Sequence, residues 1–480
     1  MKIETISNAS DAFHWLGEIN KASAVMVVEQ NIVPASLGAH IAEAITEVIA
    51  AGNQPDAPRP GDYLILEAAL IEAGGPEVTR VHSGRSRQDI GATFGRLFLR
   101  DDLLTALDSL NAARDALLTL AEAHADAIIP AYTWGVQAQP TSFGHWLGAY
   151  EAALTRTAER HRQAYARVNL CPLGSAALGT SSFPVNRPRL AELLGFDGVA
   201  ENSLDATQIA PADLRAEATQ AATTGALTVG MMLADITQQY AQTRPWLILH
   251  QGEQTGVSSI MPQKRNPAGL VRLRTRASTL AGSATAFAFQ AHNVPSGMHD
   301  YKPDGPDPAL RDAARMFADL AELLPAFRFD AERALEEVNA EYSTTTELAD
   351  VLQRDADVPF RAGHHFASDL VTYGRSNRLR AADIPFDEAK RLYKNAAAHF
   401  GLATEFPLSE SAFYDALSAE GMVRASQGLG GPQPGEVARM LSGQRDALES
   451  DRVWTRTARD RLAEAALRRD TAFAALQHGV

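Results

Sequence analysis

The sequence predicts an all-α protein whose long helices pack as a bundle. Apolar residues recur at three- and four-residue spacing along alanine-rich stretches over most of the chain, and alternating strand patterns with turn dipeptides are scarce. Several of these stretches exceed about 20 residues, which is longer than the average globular helix and favours a bundle.

Five segments carry the helical periodicity most clearly. In the first of them, Leu103, Leu107, Leu110 and Leu117 form one apolar stripe. The predicted helices cover residues 101–127, 141–163, 213–240, 270–290 and 308–324.

The length of the chain predicts more than one domain, because 480 residues exceed what a single core usually serves. We expect an N-terminal helical domain over residues 1–92, a central long-helix bundle over 93–340 and a C-terminal helical domain over 341–480. Helices are expected to shorten after residue 341, and residues 427–436 are expected to form an irregular loop.

Composition narrows the class of function. The chain has 44 Lys and Arg against 58 Asp and Glu, a net charge of −14, which argues against binding to nucleic acid or anionic membranes. No apolar run is long enough to span a bilayer and no secretory signal is visible, so a cytoplasmic protein is expected. The single cysteine, Cys171, rules out an intrachain disulfide framework and a cysteine-based zinc cluster. No cofactor or metal is predicted.

Three polar segments interrupt the helical pattern. Residues 81–89 combine serine, arginine and glutamine donors around a glycine, which suits a carboxylate, although a solvated loop that caps the next helix is the alternative. Residues 132–146 place neutral donors before an apolar helix. In that segment Thr141 is a candidate cap, and a hydrogen-bonded core role for His145 is favoured over a catalytic one.

The third segment is residues 255–267, here called the lid loop. It contains paired serines and a Lys-Arg pair, and Asn266 and Pro267 are expected to be the cap and first residue of the following helix. Such a loop could carry a nucleophile or base, or it could be an exposed basic loop.

Together these segments resemble the aspartase/fumarase superfamily, and within it the argininosuccinate lyase branch. The superfamily signature Gly-Ser-Ser-x-Met-Pro-x-Lys-x-Asn stands here as Val257-Ser-Ser-Ile-Met-Pro-Gln-Lys-Arg-Asn266. The branch motif His-Thr-Gly-Arg-Ser-Arg-Asn-Asp stands as His82-Ser-Gly-Arg-Ser-Arg-Gln-Asp89. Further matches lie at residues 137–147, 172–178 and 348–361, in the same order, which is a more specific signal than one short motif.

The resemblance implies a three-domain homotetramer with a shared central bundle, in which each active site takes the three segments from three different subunits. It also implies anti elimination across a succinyl Cα–Cβ bond with release of fumarate. When the family's residue roles are assigned to the matching positions of this sequence, Ser258 is the general base, and Lys264 and Asn266 stabilise carboxylates. The other substrate-binding positions implied are Asn20, Ser86, Arg87, Gln88, Thr133, Trp134, Ser259 and Met261.

A serine base needs a lowered pKa, because the pKa of a free serine hydroxyl is far above 7. We expect backbone N–H groups of the lid loop, together with Lys264, to lower it.

Two of the departures from the branch pattern are coupled. Trp134 stands where the branch has a histidine, and Val271 stands where it has the glutamate that pairs with that histidine. Losing one member alone would leave an unpaired buried charge, so an apolar contact between Trp134 and Val271 is expected.

Other departures affect the amine half of the substrate. Gln88 replaces an asparagine, Asn20 replaces a serine, and Met298 replaces a tyrosine that grips the arginine moiety. Within the rebuilt segment 294–304, the predicted new contacts are His299, Tyr301 and Lys302, and the alternative is a rearranged surface loop.

These departures favour a lyase for an N-substituted L-aspartate over argininosuccinate. An alkylammonium leaving group departs already protonated and needs no general acid, and the pattern is similar to that of ethylenediamine-N,N′-disuccinate (EDDS) lyase. Expected ligands are therefore fumarate and an amine or N-substituted aspartate. The alternatives are an authentic argininosuccinate lyase and a non-catalytic, crystallin-like member, against which the retained Ser258, Lys264 and Asn266 argue.

Overall fold

Helices dominate the computed structural model, which describes residues 11–302 and 305–477. Sixteen α-helices lie in these two ranges, joined by short strands and turns. The all-α prediction is confirmed. No helix among these residues has the length and apolar character needed to cross a membrane.

The first helices form an N-terminal core. They are α1 (Ala12–Glu29), α2 (Ala35–Gly52) and α3 (Tyr63–Gly74), followed by a 3₁₀ segment at Pro76–His82. Apolar side chains such as Ile19, Ile41 and Leu66 are buried between them. Phe473 and Leu476, near the end of the described chain, pack into the same core.

Long helices form the central bundle, and their alanine-rich faces allow close approach. They are α4 (Arg87–Ala123), α5 (Phe143–Val168), α7 (Ala210–Gln239), α8 (Ala268–Ala291), α9 (Pro308–Leu323) and α16 (Pro434–Gln477). Helix α4 packs against α5 and α9, and α7 packs against α8.

A buried ion network ties three of these helices together. Arg114 of α4 donates to Glu151 of α5 at 2.8 Å and to Asp451 of α16 at 2.6 Å, and its side chain is fully buried. Because a buried charge without a partner is costly, this network fixes how α16 returns along the bundle.

Shorter helices form a third apolar core. They are α10 (Ala331–Ala340), α11 (Thr345–Ala356), α12 (Phe360–Asn377), α13 (Phe386–His399), α14 (Glu410–Ala416) and α15 (Ala419–Ala425). Phe366, Tyr393 and Phe413 are buried at the centre of this core. A further short helix, α6 (Arg187–Leu193), packs beside the N-terminal core.

The five predicted helices all exist, with shifted ends. The first begins 14 residues earlier than expected, because Ser86 caps it. The expectation that helices shorten after residue 341 is wrong for the last segment, since α16 has 44 residues and is the longest helix described. The three consecutive domains stay a prediction.

Four small strand pairs interrupt the helices within the described ranges. They are β1 (Ile128–Thr133) with β2 (Val136–Ser142), β3 (Leu170–Cys171) with β4 (Gly198–Val199), β5 (Leu247–Leu249) with β8 (Phe327–Phe329), and β6 (Gly256–Val257) with β7 (Arg265–Asn266). Only β3 and β4 are parallel. The β1–β2 hairpin was missed in the sequence, although its tip contains the turn-forming Gly135.

Candidate functional site

The start of helix α4 presents the predicted anion-binding side chains. Ser86 is its N-cap, and the Ser86 hydroxyl accepts a hydrogen bond from the Gln88 amide at 3.3 Å. Arg87 is exposed and pairs with Asp62 at 3.1 Å. Because backbone N–H groups and a partial positive charge meet at a helix N-terminus, Ser86, Arg87 and Gln88 lie where a carboxylate binds favourably.

Asp89 holds the start of α4 in place from its buried side. Its carboxylate is fully buried and accepts hydrogen bonds from the amides of Ser86 (2.7 Å), Gly174 (2.8 Å) and Ala176 (3.1 Å). Burial raises the pKa of Asp89 to about 6, and the three amide donors oppose that rise. Asp89 therefore joins the Ser86 segment to the turn at residues 174–176, a role that the sequence did not reveal.

Arg85 was not among the predicted site residues, although it lies in the same motif. Its guanidinium is buried and donates to Asn20 at 3.0 Å and to Ser23 at 2.9 Å, and it lies over the ring of Tyr63. Burial, and then the Arg85 charge, lower the pKa of His82 to about 4, so its imidazole is neutral. Asn20 is 2% exposed and contacts Arg85.

The segment 294–302 packs against this same corner of the chain. Lys302 donates to the side-chain oxygens of Gln88 and Gln208. Tyr301 is buried, and its hydroxyl donates a hydrogen bond to the Gln208 carbonyl. Met298 and His299 are exposed.

Gln208 lies in a π-helical turn, Asp205–Ile209, immediately before α7. Such turns are rare and are frequent at functional sites. Sequence reasoning missed Gln208, because no local pattern marks a π turn.

The lid loop is closed at its base by the β6–β7 pair, Gly256 with Asn266 and Val257 with Arg265. Asn266 is therefore held in a strand, and helix α8 begins at Ala268 with Pro267 as its N-cap. The expected capping role of Asn266 is wrong, because its strand pairing with Gly256 places it one residue too early.

The hydroxyl oxygen of Ser258 lies inside the lid loop. It accepts hydrogen bonds from the amide of Met261 at 3.1 Å and from the amide of Ile260 at 3.5 Å. Ser259, Met261 and Lys264 are exposed. Donors that point at a serine oxygen favour its anionic form, which is what a serine base requires.

Thr133 and Trp134 lie at the tip of the β1–β2 hairpin. Trp134 and Gly135 form its two-residue turn, with φ of +56° and +75°. The Trp134 side chain is 100% exposed, and Val271 is 47% exposed, so these two do not contact each other within one chain. At the base of the hairpin, Ser142 rather than Thr141 caps α5, and His145 binds Thr141 and the Gly430 carbonyl.

One chain does not bring the predicted segments together. The lid loop precedes α8 and the segment 294–302 follows it. A helix of 24 residues is about 36 Å long, so Ser258 and Lys302 lie at opposite ends of a span far longer than a succinyl group. Among the described residues of one chain, the contacts join Asn20, Ser86, Arg87, Gln88, Tyr301 and Lys302 in a common cluster.

The described residues offer neither a metal-binding cluster nor an activated thiol. The described residues contain no group of three or more His, Cys, Asp or Glu side chains arranged to hold a metal. Cys171 is buried, and burial raises the pKa of its thiol to about 12, so it is not an activated nucleophile.

Comparison with known proteins identifies the family. Residues 7–282 match the family model described as "Lyase", and residues 342–424 match the model described as "Argininosuccinate lyase C-terminal". The argininosuccinate lyase of Methanosarcina barkeri is 30% identical over 466 residues, which is 95% of this chain and 92% of that protein. The argininosuccinate lyase of Methanoculleus marisnigri is 34% identical over 392 residues, 81% of this chain and 77% of that protein.

Solved structures give the same result. The crystal structure of EDDS lyase in complex with formate has a TM-score of 0.89 and 27% identity, and the match covers 99% of this chain and 95% of that one. An EDDS lyase variant with bound fumarate has the same TM-score and coverage, with 28% identity. The chain therefore belongs to the lyase family of the aspartase/fumarase superfamily, in its argininosuccinate lyase branch, and is a carbon–nitrogen lyase.

Proposed function

We propose that this carbon–nitrogen lyase releases fumarate from an N-substituted L-aspartate by anti elimination, and adds an amine to fumarate in reverse. Ser258 is the base. The observation that carries this proposal is the Met261 amide, which donates to the Ser258 hydroxyl at 3.1 Å within the lid loop. Together with the cation of Lys264 in the same loop, this donor favours a serine alkoxide.

The elimination follows from that base. Ser258 takes the proton from the substrate Cβ, and the electron pair passes into the adjacent carboxylate as a doubly charged aci-carboxylate. Lys264 and Asn266 stabilise this charge as it forms. The C–N bond then breaks, the Cα–Cβ double bond of fumarate forms, and the nitrogen leaves with its electron pair.

The succinyl carboxylates bind at the start of α4. Ser86, Arg87 and Gln88 supply a hydroxyl, a guanidinium and an amide at a helix N-terminus, and Thr133 adds a further hydroxyl. Ser259, Met261 and Asn20 complete the proposed substrate-binding set, with Asn20 acting through Arg85.

The amine half is proposed to be an ordinary amine. Trp134, Val271 and Met298 supply apolar surface where the branch pattern has histidine, glutamate and tyrosine, and each is exposed in the single chain. A protonated secondary amine leaves as a neutral amine without a general acid, so the missing histidine is not needed.

A complete site is proposed to need several copies of the chain. Ser258 precedes α8, whereas Lys302, which contacts Gln88, follows it, and α8 itself is about 36 Å long. A homotetramer in which the lid loop of one subunit covers the α4 start of another resolves this separation. A cytoplasmic location is part of the proposal.

The decisive experiment mixes the protein with fumarate and a panel of amines and follows the loss of fumarate absorbance. Ser258→Ala provides the inactive form, and Ser278→Ala, at an exposed position on α8, provides the matched control. Fumarate consumption by wild type and Ser278→Ala but not by Ser258→Ala is expected. Turnover that persists in Ser258→Ala would remove the proposed base.

A second candidate substrate is argininosuccinate, which is favoured by the names of the sequence relatives. Parallel assays with argininosuccinate and ethylenediamine disuccinate separate the two. Faster cleavage of argininosuccinate would replace the amine proposal with the branch activity.

A further inference from the structure

Lys302 lies between two glutamine side chains from distant parts of the chain. Its ammonium nitrogen is 2.5 Å from the Oε1 atom of Gln88 and 2.9 Å from the Oε1 atom of Gln208. Gln88 and Lys302 both depart from the branch pattern. Gln88 replaces an asparagine, and Lys302 lies in the rebuilt segment 294–304.

The ammonium group determines which end of each amide faces it. A lysine only donates, so it must meet the oxygen of an amide and not its NH₂ group. The Gln88 oxygen therefore points toward Lys302, and the Gln88 NH₂ group points away from it. A free glutamine at this place could present either end to a ligand.

Gln208 anchors the Lys302 ammonium group on the side away from Gln88. The Gln208 side chain is 4% exposed, and its NH₂ group donates to the Ala177 carbonyl at 2.7 Å and to the Thr207 hydroxyl at 3.1 Å. With both amide protons used in this way, the Gln208 oxygen is fixed toward Lys302. The ammonium is thus anchored on one side and free to orient Gln88 on the other.

The backbone next to Lys302 is also fixed. The Tyr301 hydroxyl donates to the Gln208 carbonyl at 2.7 Å and accepts from the Gly297 amide at 2.7 Å. Gly297 has φ of +94°, a conformation that favours glycine and lets this loop turn back on itself. Lys302 is thereby held in place by its neighbour as well as by Gln208.

We propose that Lys302 is a positioning residue that turns the NH₂ group of Gln88 toward a substrate carboxylate at the start of α4. This inference rests on the proposed function, because it deepens the role of Gln88 in binding the succinyl half. It assigns Lys302 to the carboxylate side of the site and not to the amine.

A double-mutant cycle on fumarate binding tests this role. Lys302→Met keeps the length of the side chain without the donor, and Gln88→Leu removes the amide. We expect Lys302→Met to weaken fumarate binding, measured by titration calorimetry, roughly tenfold, the effect of about one hydrogen bond. In the Gln88→Leu background the same substitution should cost nothing more, because Lys302 acts only through Gln88.

Matched variants separate positioning from general structure. Lys394→Met, at an exposed position on α13, should bind fumarate as wild type does. Lys302→Arg keeps donors for both glutamine oxygens and should bind within about threefold of wild type. If Lys302→Met does not fold, Lys302→Leu, which also has no donor, takes its place in the cycle.

Four results would overturn the proposal. Unchanged fumarate affinity in Lys302→Met, or an equal loss with and without Gln88, would mean that Lys302 does not act through Gln88. A rise confined to the KM of the amine would instead place Lys302 against the amine. Wild-type protein that binds no fumarate would overturn the proposed function itself, and with it this role.

Discussion

Replacing Tyr301 with phenylalanine tests what holds the segment 294–302 in place. Tyr301 is 2% exposed, and its hydroxyl makes two hydrogen bonds of 2.7 Å, one to the Gln208 carbonyl and one from the Gly297 amide. Phenylalanine keeps the ring and removes only the oxygen, so the change is confined to these two bonds.

The expected cost follows from the two backbone groups that lose their partner. A buried donor or acceptor left unpaired costs about 1–3 kcal/mol, and here one carbonyl and one amide are affected. Incomplete burial and local relaxation reduce the sum, so we expect the free energy of unfolding to fall by about 2–4 kcal/mol.

Urea unfolding at a fixed protein concentration measures this change, since subunit association otherwise alters the apparent stability. Tyr373→Phe, at a partly exposed position on α12, is the matched control and should change the free energy of unfolding by less than about 0.5 kcal/mol. Fumarate binding should also weaken in Tyr301→Phe, because the loop that carries Lys302 loosens.

Two other outcomes for Tyr301→Phe would contradict the role proposed for the Tyr301 hydroxyl. A loss below about 0.5 kcal/mol would mean that the two backbone groups find other partners. Unchanged stability together with a higher KM for the amine would return Tyr301 to the amine contact expected from the sequence.

Four further predictions concern the base, the anion site, the coupled departures and a buried histidine. Ser258→Ala should lower kcat by about 10³-fold or more in the fumarate absorbance assay, because an essential general base is lost; near-normal turnover would contradict it. Arg87→Lys keeps the charge but loses the planar fork, so fumarate binding by calorimetry should weaken about tenfold or more, and unchanged affinity would place Arg87 outside the site. Trp134→His and Val271→Glu should each destabilise the assembled protein, and the double variant should recover about 1–3 kcal/mol in urea unfolding. Strict additivity there would show that the two positions do not meet between subunits. His161 is fully buried, and burial lowers its pKa to about 4, so the unfolded chain gains a proton below pH 6.5 that the folded chain does not. The free energy of unfolding should therefore fall as pH falls, by roughly 2 kcal/mol between pH 8 and 5, and His161→Leu should remove that part of the pH dependence.

Much of the fold could be predicted from the sequence because helix formation is encoded locally. The leucine stripe through Leu103 and Leu117 indicated a buried helix face, and both side chains are fully buried in α4. The ends were less predictable, since Ser86 and Asp89 form the cap of α4 through a capping box that only the folded loop completes.

The motifs with candidate chemistry were also visible in the sequence. The lid loop and residues 81–89 are each contiguous in the sequence, so the resemblance that implies a base and an anion site could be seen in their motifs. The hairpin that carries Trp134 was missed because its strands contain Pro130 and Pro140, which are atypical of strand interiors, and only one glycine marks the turn.

Only the tertiary structure decided which segments meet. Lys302 and Gln88 are 214 positions apart, and Asn20 and Arg85 are 65 apart, so no local pattern could pair them. The length of α8 likewise separates Ser258 from the cluster around Gln88. The sequence by itself determined the helices and the residue types of the site, because both depend on neighbours along the chain. The contacts of Arg85, Gln208 and Lys302 depend on how those helices pack, and packing is decided by the whole chain at once.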